Sequence, residues 1–162
     1  MKKLILILTL ALCCTVSNAQ WYIGGGLGLC KQYDGHGIAL NIHPDIAYRF
    51  NNVLTAGAQL SYRTGYPGVG FTPYARANVL RSQQNLSFFI STGLPCVFDT
   101  NYRSVGFTIV PGASLKISRS VYLIAHLGRV GYYSVSAEGV KSKGWSTGFS
   151  RDDINVGFIV AL

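Results

Sequence analysis

Charged residues are scarce in this chain, since Asp, Glu, Lys and Arg make up 12% of its 162 residues. An ordinary globular protein has roughly 25%. A soluble β-barrel needs a charged exterior, and this chain has too few charged side chains to cover one. The composition therefore disfavours a soluble exported β-protein, an alternative that recovery from the soluble periplasmic fraction would support.

Long apolar runs are also missing after the first 19 residues. No later segment has 18 uninterrupted apolar residues, and a membrane-spanning helix needs roughly 20. A helical membrane protein is therefore excluded.

Basic clusters are absent although the formal net charge is +8. The cations are scattered, and no Lys/Arg cluster or interleaved aromatic motif of a nucleic-acid-binding protein is present. We therefore expect no nucleic-acid partner. Contact with anionic lipid headgroups is a more natural use of the charge.

The amino terminus has the features of a secretory signal peptide. Lys2 and Lys3 provide the positive region, residues 4–12 the apolar core, and residues 17–19 a cleavage site of small residues. We expect residues 1–19 to be removed, leaving the 143 residues 20–162 as one domain with a net charge lowered from +8 to +6.

Two other fates of this segment are less favoured. An uncleaved anchor would need a longer apolar core. Lipoprotein processing at Cys13 or Cys14 resembles a pattern with a small residue before the cysteine, and Leu12 is not small.

Alternation of apolar and polar residues dominates the remaining chain. In residues 38–50 a large apolar side chain occupies nearly every second position, which is typical of a β-strand with one apolar face. The pattern predicts eight strands, at residues 21–30, 37–50, 53–63, 71–80, 86–98, 105–117, 121–133 and 149–162. An even number of strands lets the sheet close with both termini on one side.

The predicted connections alternate in length. The tight turns are residues 51–52, 81–85 and 118–120, and the longer loops are residues 31–36, 64–70, 99–104 and 134–148. In bacterial outer-membrane barrels the short turns and the termini are periplasmic and the long loops extracellular. The predicted fold is therefore all-β, an eight-stranded antiparallel up-and-down transmembrane β-barrel.

Large apolar residues form the predicted lipid-facing set, with aromatic residues near strand ends as interfacial girdles. The girdle residues are Trp21, Tyr48, Phe50, Tyr62, Phe71, Phe98 and Tyr133. The fifth strand fits least well, because Phe89 and Val97 interrupt its polar face and Pro95 needs a bulge or a rim position.

The opposite face predicts a polar network inside the barrel. Its residues are Asp45, Arg49, Gln59, Arg76, Lys116, His126 and Asn155. An eight-stranded barrel is just wide enough for side chains to fill it. We expect Asp45 and Arg76 to pair across the lumen, because an unpaired buried charge is costly.

No pattern in the sequence indicates a catalytic, cofactor or metal site. His43 and His126 are expected to pack in the polar lumen, and no Ser/His/Asp arrangement or second metal ligand occurs at a useful spacing. The glycines of residues 24–28 indicate close strand approach rather than a phosphate loop. Cys30 and Cys96 are predicted on opposite walls and opposite faces, which argues against a disulfide.

The last strand carries a motif found in a known family. In residues 155–162, Asn155 is followed by Gly157, and apolar Val160 and Leu162 occupy the third-last and final positions. This segment is similar to the assembly signal of the small eight-stranded outer-membrane β-barrel family, the OmpA/OmpX-like group. The family usually ends in an aromatic residue, and Leu162 departs from that pattern.

The resemblance implies an integral protein of the cell envelope, with outer-membrane lipids and the outer-membrane assembly machinery as partners. The first functional hypothesis is a non-enzymatic barrel with a structural or surface-interaction role, and Lys141, Lys143 and Trp145 are its candidate contact residues. The alternative is a porin-like narrow channel or solute-binding pore lined by Asp45, Gln59, Arg76 and Asn155. A lipid-directed enzyme is a third possibility.

Overall fold

β-Strands are the regular elements of the computed structural model, which describes residues 20–31, 38–64, 68–81, 85–99, 102–137, 140–148 and 154–162. In these ranges the strands are β1 (Gln20–Lys31), β2 (Ile38–Arg49), β3 (Leu54–Arg63), β4 (Val69–Arg81), β5 (Leu86–Gly93), β6 (Cys96–Phe98), β7 (Tyr102–Lys116), β8 (Val121–Leu127), β9 (Arg129–Ala137), β10 (Val140–Gly148) and β11 (Ile154–Ala161). The described residues form no helix long and apolar enough to cross a membrane. The predicted signal peptide lies outside them.

Eight of these strands close a ring. Antiparallel pairing runs from β1 through β2, β3, β4, β5, β7, β8 and β11 and back to β1. β6 extends the line of β5, since it pairs with the same neighbours, β4 and β7. The predicted eight-stranded antiparallel barrel is confirmed.

The outer face of the ring is apolar. On β1, Trp21, Ile23 and Leu27 are exposed, whereas Tyr22 between them is 2% exposed and faces inward. Exposed apolar residues continue around the ring, among them Leu40, Ile42, Ile46, Leu60, Tyr62, Phe71, Phe88, Ile90, Val105, Phe107, Ile109, Leu115, Val156, Phe158 and Val160. Soluble monomers rarely expose so continuous an apolar surface, which suits hydrocarbon rather than water.

Pro95 interrupts the predicted fifth strand, as expected. The strand is divided into β5 and β6 at Leu94 and Pro95. Pro95 has no N–H to donate, but its carbonyl accepts a 2.9 Å hydrogen bond from the Gly106 amide. The wall therefore stays connected to β7 across the break.

A bulge at Gly128 separates β8 from β9. His126 pairs with Gly112 and Val130 with Ile109. Residues 127–129, between β8 and β9, therefore lie opposite only residues 110–111 of β7. Gly128 has φ = 132°, which side chains of L-residues disfavour.

The bulge reverses which side chains point outward. On β9, Tyr132 pairs with the exposed Phe107 and is itself 40% exposed, whereas Tyr133 pairs with Gly106 on the inner face. The prediction that Tyr133 belongs to the outer girdle is therefore wrong. That prediction extended the alternation of β8 unchanged across Gly128, where the bulge reverses the two faces.

β9 and β10 form a hairpin that continues beyond the ring. Val140 pairs with Ala137 and Gly148 with Arg129, and β10 pairs only with β9 among the described strands. The prediction of a loop over residues 134–148 is therefore wrong. Eight of the nine β10 residues are exposed, so neither face of this strand is buried. Its sequence therefore lacks the apolar alternation by which a half-buried strand is recognised.

Other strand ends also differ from prediction. β4 begins at Val69 and β7 at Tyr102, which shortens the loops predicted over residues 64–70 and 99–104. The final strand is described from Ile154, and residues 149–153 lie outside the described part, as does most of the loop predicted at 31–36.

Candidate functional site

The middle of the lumen holds a carboxylate bound by a tyrosine. Tyr74 on β4 donates its hydroxyl to the two oxygens of Asp45 on β2, at 3.0 and 2.9 Å. Arg76 lies on the same face of β4, 7% exposed, with its guanidinium carbon 5.1 Å from the centre of the Tyr74 ring. Tyr74 thus bridges Asp45 and Arg76, and no direct ion pair joins these two described residues.

Phe89 fills the lumen beside this group. It is 2% exposed, and its ring centre lies 4.4 Å from the guanidinium carbon of Arg76 and 5.7 Å from the ring of His126. Phe89, which interrupts the polar pattern of its strand, is therefore a packing residue of the interior.

An inner cavity of about 20 Å³ lies at this level of the barrel. It is lined by His43 and by five residues of the predicted network, Asp45, Gln59, Arg76, His126 and Asn155. Both ring nitrogens of His43 and the Oδ1 atom of Asn155 are buried without a protein partner. A polar space of this size suits a single water molecule.

A second cavity, which we call the basal cavity, lies at the end of the barrel that carries the short turns. Its volume is about 220 Å³, and Asn52 and Asn85 of two turns are among its lining residues. Arg49, Arg76 and Lys116 also line it. The predicted network is therefore divided into two groups that share Arg76.

Aromatic rings support the cations of the basal cavity. The guanidinium carbon of Arg49 lies 4.6 Å from the Tyr22 ring centre and 5.5 Å from that of Tyr122, and Lys116 Nζ lies 5.9 Å from Tyr122. Cations are attracted to ring faces at these distances. Sequence reasoning missed Tyr22, Tyr74 and Tyr122, although each occupies an inward position of its strand.

The predicted contact residues of the long loop lie together on the hairpin. Lys141, Lys143 and Trp145 occupy alternate positions of β10, and therefore one face, which the pairing of Trp145 with Tyr132 identifies as the outward face. Trp145 is 75% exposed, and its ring centre lies 5.5 Å from that of Tyr132.

The residues of the predicted assembly signal fall on both faces of β11. Asn155 lines the inner cavity, whereas Val160 and the terminal Leu162 are exposed on the outer surface. Gly157 pairs with Gly26, and a Cβ atom added to Gly157 would lie 2.9 Å from Gly26 Cα. This short distance agrees with the expectation that the glycine-rich segment lets neighbouring strands approach each other closely.

Cys96 is a free thiol. The Cys30 side chain lies outside the described part, so the expectation of no disulfide stays a prediction. Among the residues whose structure is described, no group of three His, Cys, Asp or Glu side chains is placed to hold a metal ion.

Comparisons with known proteins support the fold. No protein-family model matches the chain, and no curated protein matches it significantly. The barrel is similar to the crystal structure of Neisserial surface protein A (NspA), an eight-stranded outer-membrane barrel, with a TM-score of 0.51 and 16% identity over 88% of this chain and 96% of that chain. The fold is thus that of a small transmembrane β-barrel, and the OmpA/OmpX-like resemblance stays a prediction.

Proposed function

We propose that this chain is an integral outer-membrane barrel with a non-enzymatic surface-interaction role, exercised through the β9–β10 hairpin. The observation that carries the proposal is the position of Lys141, Lys143 and Trp145 on one exposed face of that hairpin. A closed hydrogen-bonded ring is a rigid support for such a surface.

The apolar outer face of the ring supports membrane insertion. Its exposed side chains alternate with inward ones along the strands, as in barrels that span a bilayer. The short turns and both termini are then periplasmic, and the hairpin is extracellular. Outer-membrane lipids and the assembly machinery are the partners that this location implies.

The chemistry of the hairpin face favours an acidic partner surface. Two ammonium groups beside an exposed indole combine charge attraction with apolar contact area, and aromatic residues are frequent energetic centres of interfaces. The inward side of the hairpin presents Ser142, Gly144 and Ser146 instead.

The test is binding of the refolded mature protein to an immobilised sulfated polysaccharide, used as a model acidic surface. The variant K141Q/K143Q/W145A should bind at least about tenfold more weakly than the wild type, the sum expected from two exposed charges and one aromatic contact. S142A/S146A is the matched control on the other face of β10 and should bind as the wild type does. Equal binding by all three proteins contradicts the proposal.

A pore is the second candidate, because Asp45, Gln59, Arg76 and Asn155 line one internal cavity and Arg76 extends into the basal cavity. The packing of Phe89 and Tyr74 across the middle of the lumen favours the plugged barrel. We expect inserted protein, verified by a heat-dependent gel shift, to be silent in a planar bilayer. Discrete conductance steps that change in Arg76→Gln would support the pore instead.

A further inference from the structure

The basal cavity collects positive charge, and among its cations Arg76 has an acid nearby, Asp45 of the inner cavity. Arg49, Arg76 and Lys116 line it, and its described lining residues include no Asp or Glu. Asp45 lies in the inner cavity, where Tyr74 holds its carboxylate. Like charges that line one partly enclosed cavity repel one another unless a counter-charge joins them.

Two of these cations also have a hydrogen-bond donor without an acceptor. The Nε atoms of Arg49 and Arg76 are buried without an acceptor, and both guanidinium groups contact aromatic rings. A ring face attracts the charge but leaves the N–H donors at the edge of the planar guanidinium group unoccupied.

Neutral side chains complete a set of donors around the same space. Three asparagines and three hydroxyl residues line the basal cavity, namely Asn52, Asn78, Asn85, Thr55, Ser87 and Ser114. The side-chain amide of Asn78 on β4 donates to the Asn52 carbonyl at 2.9 Å, which joins β4 to the turn between β2 and β3. Guanidinium, ammonium, amide and hydroxyl groups together form the environment that carboxylate and phosphate oxygens occupy in proteins.

We propose that the basal cavity is a binding site for a small soluble oxyanion, a phosphate or a carboxylate. Arg49 and Arg76 provide guanidinium groups held against aromatic rings, and Lys116 provides an exposed ammonium group. A volume of about 220 Å³ is more than ten times that of the inner cavity and accommodates an ion of this size together with several waters. The cavity is lined by turn residues and inward side chains and not by the apolar outer face, which favours a soluble ion over a lipid headgroup.

The experiment is a calorimetric titration of inorganic phosphate into the refolded mature protein in a non-ionic detergent, at an ionic strength held constant with chloride. Saturable binding by the wild type is expected. Lys116→Gln and Arg49→Gln should each weaken it about tenfold or more, as expected when a charge-assisted hydrogen bond is lost. Absence of saturable binding of phosphate, and of acetate in a parallel titration, overturns the proposal.

Arg119→Gln is the matched control. Arg119 is an exposed cation three residues after Lys116, in the same turn region, but it does not line the basal cavity. Its loss should change the affinity less than twofold. An effect equal to that of Lys116→Gln would mean attraction to net charge rather than a site, and would also overturn the proposal.

Two additions keep the test decisive. If Arg49→Gln does not refold, the Lys116→Gln variant, which changes an exposed residue, is compared with the wild type. Line broadening of the phosphorus NMR signal of phosphate then reports ion binding directly. Micelles containing phosphatidylglycerol replace phosphate in a separate titration, and binding of this lipid without binding of free phosphate contradicts a soluble ligand. In detergent the short turns face solvent whichever side of a membrane they would occupy, so the result does not depend on the proposed membrane orientation.

Discussion

At the scale of single residues, the Tyr74 hydroxyl is the group that satisfies the carboxylate of Asp45. We predict that Tyr74→Phe lowers the free energy of unfolding by about 1–3 kcal/mol, because it leaves a buried acceptor without its donor. Urea unfolding of the protein in lipid vesicles, followed by the heat-dependent gel shift, measures the change. Tyr62→Phe is the control, since Tyr62 is 52% exposed on the outer face, and its effect should stay below about 0.5 kcal/mol.

Equal stability of the Tyr74 and Tyr62 variants would show that the hydrogen bond to Asp45 contributes nothing measurable. The residue scale is also where sequence reasoning is weakest. A period of two identifies the inward residues Asp45 and Arg76, but it carries no information on which side chains meet across the lumen. Tyr74 lies between them because three strands curve around one interior, a relation that exists only after the ring has closed.

At the scale of the element, the bulge at Gly128 determines how β8 leads into β9. We predict that Gly128→Ala destabilises the barrel by about 1–2 kcal/mol, because a side chain disfavours φ = 132°. Gly144→Ala is the control on β10, where an added Cβ atom meets nothing within 4 Å. The same urea unfolding assay applies, and a Gly144 variant as unstable as the Gly128 variant would contradict the backbone explanation.

The hairpin beyond this bulge should be separable from the ring. Tyr132 pairs directly with Trp145, so replacing residues 133–144 by Asn-Gly joins them through a two-residue turn that keeps their register. We predict that this shortened protein still refolds and keeps the gel shift, because ring closure uses the pairing of β8 with β11. A chain that no longer inserts would show that the hairpin is needed for folding.

Sequence predicts the elements well where one face contacts lipid and fails where neither does. β1 and β2 show their outward residues Ile23 and Ile42 in plain alternation, because Ile23 is followed by the inward Gly24 and Ile42 by the inward His43. β10 has no such contrast. Its strand character comes from pairing with β9, which is not visible in its own composition.

At the scale of the whole molecule, the two tryptophans report opposite ends of the barrel. Trp21 lies on the outer face of β1, 5.0 Å from the Tyr48 ring, whereas Trp145 lies on the hairpin. We predict that Trp145→Phe, which leaves Trp21, gives fluorescence strongly quenched by brominated lipid. Trp21→Phe should give weaker quenching, because the remaining indole lies beyond the ring.

Absence of quenching in both variants would contradict membrane insertion of the ring. Closure itself was predictable from sequence, because eight alternating segments and an even count suffice for an up-and-down barrel. The division of the interior into an inner and a basal cavity was not, since it depends on how inward side chains pack across the lumen, and alternation alone carries no information on that packing.

The reversal of faces at Gly128 also has a consequence for how this protein could evolve. Loss of this one residue would return β9 to the phase of β8, and the hairpin partners Lys141, Lys143 and Trp145 would then turn inward. Deletion of the Gly128 codon in an evolving gene would therefore move two lysines and a tryptophan from the outer surface of the hairpin to its inner surface. A single codon thus determines whether these side chains face the surroundings or the interior of the barrel.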